Sequence, residues 1–465
     1  MIPPSSEPPR ASSIAAPHPP SGPFPPGSMI LAPLTRGGNL PFRRLCSDFG
    51  MDSSMGEMVF ARNLLRGDKI ERARLRRAPN ERNFGVQIAT NEIEEGSAAI
   101  RMAAEYGANF VDLNCGCPIH EATKRGLGSA LLRRPERLGE LVRGLVVSAD
   151  SVGLPLTVKV RLGRDASSVN VLEVARVVRD AGAAAVSVHG RTALQGYSKP
   201  ADWDLIRDVA EELRGSGCAV VGNGDVLTHV DASRRFRDCG VGSVMVGRGA
   251  LIKPWVFQEH RDGRAWDPEV EERVGVYRTL ALHMKDHFGD DVLGRRAAWN
   301  FLPWHFDFFR RYVPVPEGSD SAPAIQNRNL QLENATPLEY LLSHRDTRVH
   351  DLIASALWES DSDANAVFQL ESLAGGDDFA RIRNSGPAED DGNGKYPDDE
   401  ELANVPSSES ESGGEGGRRQ QRKRRVTKPE RSPQEIAAVR AERAAKRARL
   451  EAEGIFYEHQ NGQRR

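Results

Sequence analysis

Apolar and polar positions follow two distinct rhythms along this chain. Between residues 30 and 249, short apolar and β-branched runs (30–34, 52–58, 84–89, 110–116, 156–161, 185–191, 219–225 and 243–249) each end in glycine or polar residues. Amphipathic stretches with helical spacing separate them, as at 92–106, 134–150, 169–181, 203–213 and 230–239. Runs that are apolar nearly throughout suit strands covered on both faces, as in a parallel sheet. Eight of them predict eight βα units, so the fold class is α/β, with a TIM (β/α)8 barrel over residues 29–262. A doubly wound sheet is the competing architecture. It calls for a G-x-G-x-x-G turn after the first strand, and this strand ends in Ala32-Pro33-Leu34-Thr35 instead.

The second rhythm is helical throughout and covers residues 263–360, where Trp299, Phe301, Trp304, Phe306, Phe308, Phe309 and Tyr312 cluster. A small helical domain is expected there, interrupted by a polar loop at 314–334. Both ends of the sequence lack a core signal. Residues 1–28 are rich in Pro, Ser and Ala, residues 361–417 form an acidic Ser/Gly-rich linker, and residues 418–465 form a basic tail. Such compositions bury too little apolar surface to offset the entropy of ordering, and disorder is expected in all three. Within the tail, 433–454 has the Ala/Arg/Glu pattern of a single exposed helix.

Composition agrees with a compact core diluted by such segments: 39% of the 465 residues are hydrophobic, with 44 Gly and 29 Pro. Lys and Arg (63) nearly balance Asp and Glu (65), so total charge does not point to an anionic partner. Five cysteines without framework spacing argue for a reducing compartment. No apolar run reaches membrane-spanning length and no secretory pattern opens the sequence, so no membrane partner is expected. Residence in the cytoplasm, the nucleus or both, as a monomer, is the expectation.

A barrel of this kind builds its active site at the C-terminal ends of its strands. Those ends carry Pro33-Leu34-Thr35, Glu57, Gln87, Asn114 to Pro118, Lys159 with Arg161, His189 with Arg191, Asn223-Gly224-Asp225 and Gly247-Arg248-Gly249. Apolar Val158 and Val160 alternate with Lys159 and Arg161, which places both cations on the barrel interior. The glycine-rich turns after the last two strands read equally as a backbone phosphate grip or as tight turns. A phosphate grip with an inward lysine suits FMN, and PLP is the chemical competitor. Cys117, between Gly116 and Pro118, reads either as a buried thiol or as an acid or nucleophile. Cys115 and Cys117 form C-x-C without a second pair, and His283 and His287 lack the glutamate of a zinc-protease helix, so no metal is expected.

Taken together, Ala32-Pro33-Leu34-Thr35, Gly85-Val86-Gln87, Asp112-Leu113-Asn114-Cys115-Gly116-Cys117-Pro118, Lys124-Arg125-Gly126-Leu127-Gly128, Thr157-Val158-Lys159-Val160-Arg161, His189-Gly190-Arg191-Thr192, Gly222-Asn223-Gly224-Asp225 and Gly247-Arg248-Gly249 resemble the tRNA-dihydrouridine synthases. Gly38 to Arg44, Asn63-Leu64-Leu65 and Ala250 to Trp255 look like the eukaryotic third branch, which acts on uridine 47 of the variable loop. The resemblance implies FMN-dependent reduction of a tRNA uridine to 5,6-dihydrouridine, with NADPH or NADH as reductant and mRNA an open second substrate. It further implies hydride from reduced FMN to C6 and a proton from Cys117 to C5. FMN would contact Pro33, Leu34, Thr35, Gln87, Lys159, His189, Asn223, Gly224, Asp225, Gly247 and Arg248, while Arg161, Arg191 and Asn114 would serve substrate or phosphate. The branch usually carries N-terminal Cys/His zinc fingers, which the 28 Pro-rich residues here do not resemble. The basic tail is the substitute RNA-binding element, or, through residues 422–425, a nuclear localisation signal. A small-molecule FMN dehydrogenase and a catalytically idle RNA-binding scaffold are the competing readings.

Overall fold

The computed structural model describes residues 23–314 and 335–384. The expectations for residues 1–22, the 315–334 part of the polar loop and residues 385–465, basic tail included, lie outside these described residues. Among the described residues nine parallel strands form one sheet: β1 (Ser28–Leu31), β2 (Ser53–Met55), β3 (Val59–Phe60), β4 (Phe84–Ala89), β5 (Phe110–Cys115), β6 (Leu156–Arg161), β7 (Ala185–His189), β8 (Ala219–Asn223) and β9 (Ser243–Val246). β1 pairs with both β2 and β9, and β2 pairs with β4, so eight strands close into a barrel. β3 pairs with β4 further along, at Val59↔Ile88. That two-residue strand lies within no predicted run.

The barrel forms because each strand alternates between two buried environments. On β5, Val111, Leu113 and Cys115 join the core shared with the surrounding helices, while Phe110 belongs to the barrel interior. Asp112 and Asn114 share the inward face of Phe110. β6 repeats the scheme with Val158 and Val160 outside and Thr157, Lys159 and Arg161 inside. The inward amides and charges Gln87, Asn114, Lys159, Arg161, His189 and Asn223 stand toward the strand ends, which puts chemistry at that end.

The opposite end is closed by the chain itself. Phe24 is 2% exposed, packs with Ile30, Met55, Ala185, Val221 and Met245, and meets Phe110 edge-on with ring centroids 5.0 Å apart. Gly27 N–H donates to the Gly242 carbonyl at 2.8 Å, anchoring the plug beside β9. The expectation of disorder through residue 28 is therefore corrected at 23–28. A window rich in proline conceals one phenylalanine whose burial contributes about 2 kcal/mol.

Helices Val270–Phe288, Val292–Ala298, Leu302–Phe309, Pro337–Leu342 and Thr347–Glu359 form the expected helical domain. Tyr277 stacks on Phe309 with centroids 4.3 Å apart at its centre. His305 stacks on Phe42 of the first barrel helix, centroids 4.7 Å apart, and joins the two parts. The domain does not stop at 360. Asp363–Ala374, whose N-cap Ser362 accepts from the Asn365 N–H, and Asp377–Asn384 continue it, burying Ala366, Leu370 and Phe379. The expected linker from 361 is corrected over 363–384, where three well-spaced apolar residues suffice to dock an otherwise polar sequence.

Candidate functional site

A cavity of about 770 Å³ opens at the C-terminal ends of the strands. Pro33, Leu34 and Thr35 after β1, Gln87 on β4, Asn114 on β5, Cys117 beyond it, and Lys159 and Arg161 on β6 all line it. So do His189 and Arg191 at β7, Asn223, Gly224 and Asp225 at β8, and Gly247 and Arg248 after β9. Every residue expected to serve catalysis, cofactor or substrate thus meets in one cavity. Glu57 is outside this lining; it pairs with Arg74 at 3.1 Å, and burial raises its pKa above the ordinary value.

The floor is a connected set of amides and charges. Lys159 Nζ donates to Asn223 Oδ1 at 3.2 Å, and Asn223 Nδ2 donates to the Met245 carbonyl at 2.8 Å. Register places Lys159 between Asn114 and Ser187, and His189 between Arg161 and Asn223. Burial lowers the Lys159 pKa to about 8, with Arg161 pushing the same way and Asp112 and Cys117 opposing. Asp112 is fully buried beneath this floor. Burial lifts its pKa to about 6, against bonds from Thr157 and Gln87 and the nearby Lys159 charge.

The rim is cationic. Arg191 pairs with Asp225 at 2.7 Å, Arg248 reaches the same carboxylate at 3.0 Å, and Arg161 Nη1 donates to the Thr192 carbonyl at 2.7 Å. Asp225 follows Gly224 (φ 136°) and itself adopts φ 48°, so this turn is a built, left-handed corner. The His189 pKa lies well below its usual value because of burial and because of Arg161, Lys159, Arg191 and Arg248. The imidazole is neutral. Arg191 Nη1, a donor only, stands 3.4 Å from His189 Nε2, which leaves the ring proton on Nδ1.

Cys117 rides on a loop held from two sides. Asn114 Oδ1 accepts from the Cys117 N–H at 2.9 Å and the Gly116 N–H at 3.2 Å, while the Cys117 carbonyl accepts from the Ser129 N–H at 2.9 Å. Gly128 makes that second contact possible: its φ is 61°, and an added Cβ would collide with the Cys117 carbonyl. Cys117 is half-buried, whereas Cys46, Cys115, Cys218 and Cys239 are buried.

Sequence reasoning missed several neighbours. Tyr197, in the loop after β7, has the Arg248 guanidinium 4.1 Å from its ring centroid. Nothing at a strand end marked it. Trp299, Asn300, Pro303, Trp304, Thr347 and Asp351 wall the cavity from the helical domain. The aromatic cluster there was visible, but periodicity alone does not separate a core face from a cavity wall. Asp112 was the discoverable one, an acid at an inward position of an apolar strand.

Chemically, a floor of N–H donors beneath four cations, answered at the rim by Asp225, suits an anionic group with an acceptor-rich planar edge. The donor set therefore fits a phosphorylated planar cofactor.

A family model described as Dihydrouridine synthase (Dus) matches residues 30–309. A Coprinopsis cinerea protein named tRNA-dihydrouridine(47) synthase, with the qualifier NAD(P)(+), is 37% identical over 333 residues, 69% of this chain and 49% of that protein. Proteins given the same name with the suffix "-like" match from Arabidopsis thaliana, at 38% over 289 residues (62% of this chain, 41% of that one), and Homo sapiens, at 39% over 296 residues (62% and 44%). The chain thus spans about half the length or less of these curated relatives.

Proposed function

The chain belongs to the dihydrouridine synthase family, and from that premise we propose that it reduces uridine 47 in the variable loop of tRNA to 5,6-dihydrouridine, using bound FMN and NADPH or NADH. The observation that carries this reading is the meeting of Cys117, Lys159 and the Arg161–Arg191–Arg248 rim in one cavity of about 770 Å³. The names of the relatives support the substrate and its position.

Gln87, Lys159, His189 and Asn223 would hold the ring of FMN, with Pro33, Leu34 and Thr35 along one side. Gly224, Asp225, Gly247 and Arg248 would surround its phosphate. When bound and reduced, FMN would supply the hydride for uracil C6. Cys117 supplies the proton for C5 from its Sγ, and its loop keeps that thiol at the cavity while the base enters. Lys159 would supply positive charge to the bound ring, at a buried position where one charge acts strongly. The uridine must leave its stack to arrive; Asn300, Trp304 and Asp351 are the side chains that would receive it.

The test begins with the visible spectrum of the purified full chain. Anaerobic NADPH should bleach a flavin band, and unmodified tRNA transcript should restore it, with dihydrouridine appearing in the RNA. A transcript carrying cytidine at position 47 should not. Flavin that bleaches but ignores every tRNA would point to a small-molecule dehydrogenase, and a colourless chain to an RNA-binding scaffold.

A further inference from the structure

The fully buried carboxylate of Asp112 has no place in the reaction just described, yet it starts a directed hydrogen-bond chain that ends at the Cys117 loop. Its Oδ1 accepts from Thr157 Oγ1 at 2.6 Å and its Oδ2 from Gln87 Nε2 at 2.8 Å. Gln87 Oε1 accepts from Asn114 Nδ2 at 2.8 Å. Asn114 Oδ1 then accepts from the backbone N–H groups of Gly116, at 3.2 Å, and Cys117, at 2.9 Å.

Each link fixes the polarity of the next. A carboxylate accepts and never donates, so Gln87 must turn its NH2 toward Asp112 and its oxygen toward Asn114. Asn114 must then offer its NH2 to Gln87, which leaves its oxygen for the loop. Both amide oxygens are consumed. The polar hydrogens these amides have left are N–H groups, one each, on side chains that line the cavity. Reversal of either amide would set two donors or two acceptors face to face in a buried site, at the cost of an unmade hydrogen bond.

We propose that Asp112 is a positioning residue, which through Gln87 and Asn114 sets the donor polarity of the cavity floor and the placement of the Cys117 loop together. A floor with donors alone selects a ring edge made of acceptors. One buried carboxylate thereby couples the surface that holds the cofactor to the loop that carries the proton donor. The assignment of those two tasks rests on the function proposed above; the hydrogen-bond chain does not.

The test reads the loop directly, without flavin or tRNA. Cys117 is the half-buried cysteine while the other four are buried, so its alkylation by iodoacetamide in the full chain, followed by peptide mass spectrometry, reports on that loop. Asp112→Leu should change the Cys117 alkylation rate by about fivefold, the effect of losing one ordinary hydrogen bond. Asn114→Ala, which removes the last link, should do the same. The double variant should match the single ones, because both break one chain. Asp112→Asn retains an oxygen for Gln87 and should stay within about twofold of the parent. Should Asp112→Leu fail to fold, Gln87→Leu breaks the chain one link nearer the loop and carries the same expectation. An unchanged rate in the leucine variants, or additive effects in the double variant, overturns the proposal. A parent chain that reduces no tRNA, with the variants altering alkylation as expected, would instead overturn the proposed function and leave the role of Asp112 standing.

Discussion

A single guanidinium nitrogen of Arg191, Nη2, donates to both carboxylate oxygens of Asp225, at 2.8 and 2.7 Å, with both side chains almost wholly buried. The same carboxylate accepts from Arg248 at 3.0 Å and from the Ala201 N–H at 2.7 Å. Asp225 is the keystone of the cationic rim. Replacing it by alanine leaves a buried guanidinium without its counter-charge, which costs about 3–5 kcal/mol. Urea unfolding of Asp225→Ala should show that loss, and the flavin content of the purified variant should fall with it. Unchanged stability would mean that the carbonyl of Lys199, 2.5 Å from Nη2, suffices to hold Arg191.

Cys117→Ala should retain the flavin spectrum and its bleaching by NADPH. Dihydrouridine formation should drop by a factor of about 10²–10⁴, the usual share of a positioned general acid. Nucleoside mass spectrometry of the treated tRNA measures this. Full activity in the variant would remove the proton-donor role.

Lys159→Ala removes the charge proposed to serve the flavin ring and the donor to Asn223. Flavin retention should weaken by about ten- to a hundredfold, since a hydrogen bond from a charged group contributes about 1.5–3 kcal/mol. Equilibrium dialysis against FMN measures it, and an unaltered Kd would count against the contact.

The same lysine gives a pH signature. Its pKa is lowered to about 8, and a bound anion favours the ammonium form. Binding above pH 8 must therefore take up a proton, so the affinity for FMN should fall as pH rises through that value, by up to about tenfold per unit. Below pH 8 the lysine is charged with or without ligand, and its contribution is constant. Lys159→Met should flatten the alkaline limb while lowering affinity throughout.

Gly128→Ala forces a Cβ against the Cys117 carbonyl at a left-handed position. Backbone strain alone costs about 1–2 kcal/mol. Thermal denaturation should register it, together with a change in Cys117 alkylation that Gly153→Ala, at an equally left-handed glycine with open space around it, should not produce.

The barrel was legible because β4 to β9 are covered on both faces and their sequences are apolar over most of their length. The cavity was legible because polar residues such as Lys159 and Asn223 stand where such strands end. Phe24 escaped notice because one ring within a proline-rich stretch barely alters its composition, though that ring fills the barrel floor. Helices Asp363–Ala374 and Asp377–Asn384 escaped for a related reason: Ala366, Leu370 and Phe379 are too sparse to register as amphipathic, yet they dock. Tyr197 and Asn300 reach the cavity from a loop and from another domain, and no strand periodicity reports on such residues. Asp112 stood within the quoted motif, but its meaning lies in which atoms face which, and that needs three dimensions.

The plug at residues 23–27 also sets a schedule for the chain. Phe24 and β1 are synthesised before the other strands of the barrel, but their partners Met245 and β9 follow more than two hundred residues later. Sealing the floor and joining the first strand to the last are therefore one late event, dominated by contacts distant in sequence. Chains halted before residue 243 should remain open to protease at both ends of the barrel, and release of the final strand should close the two together.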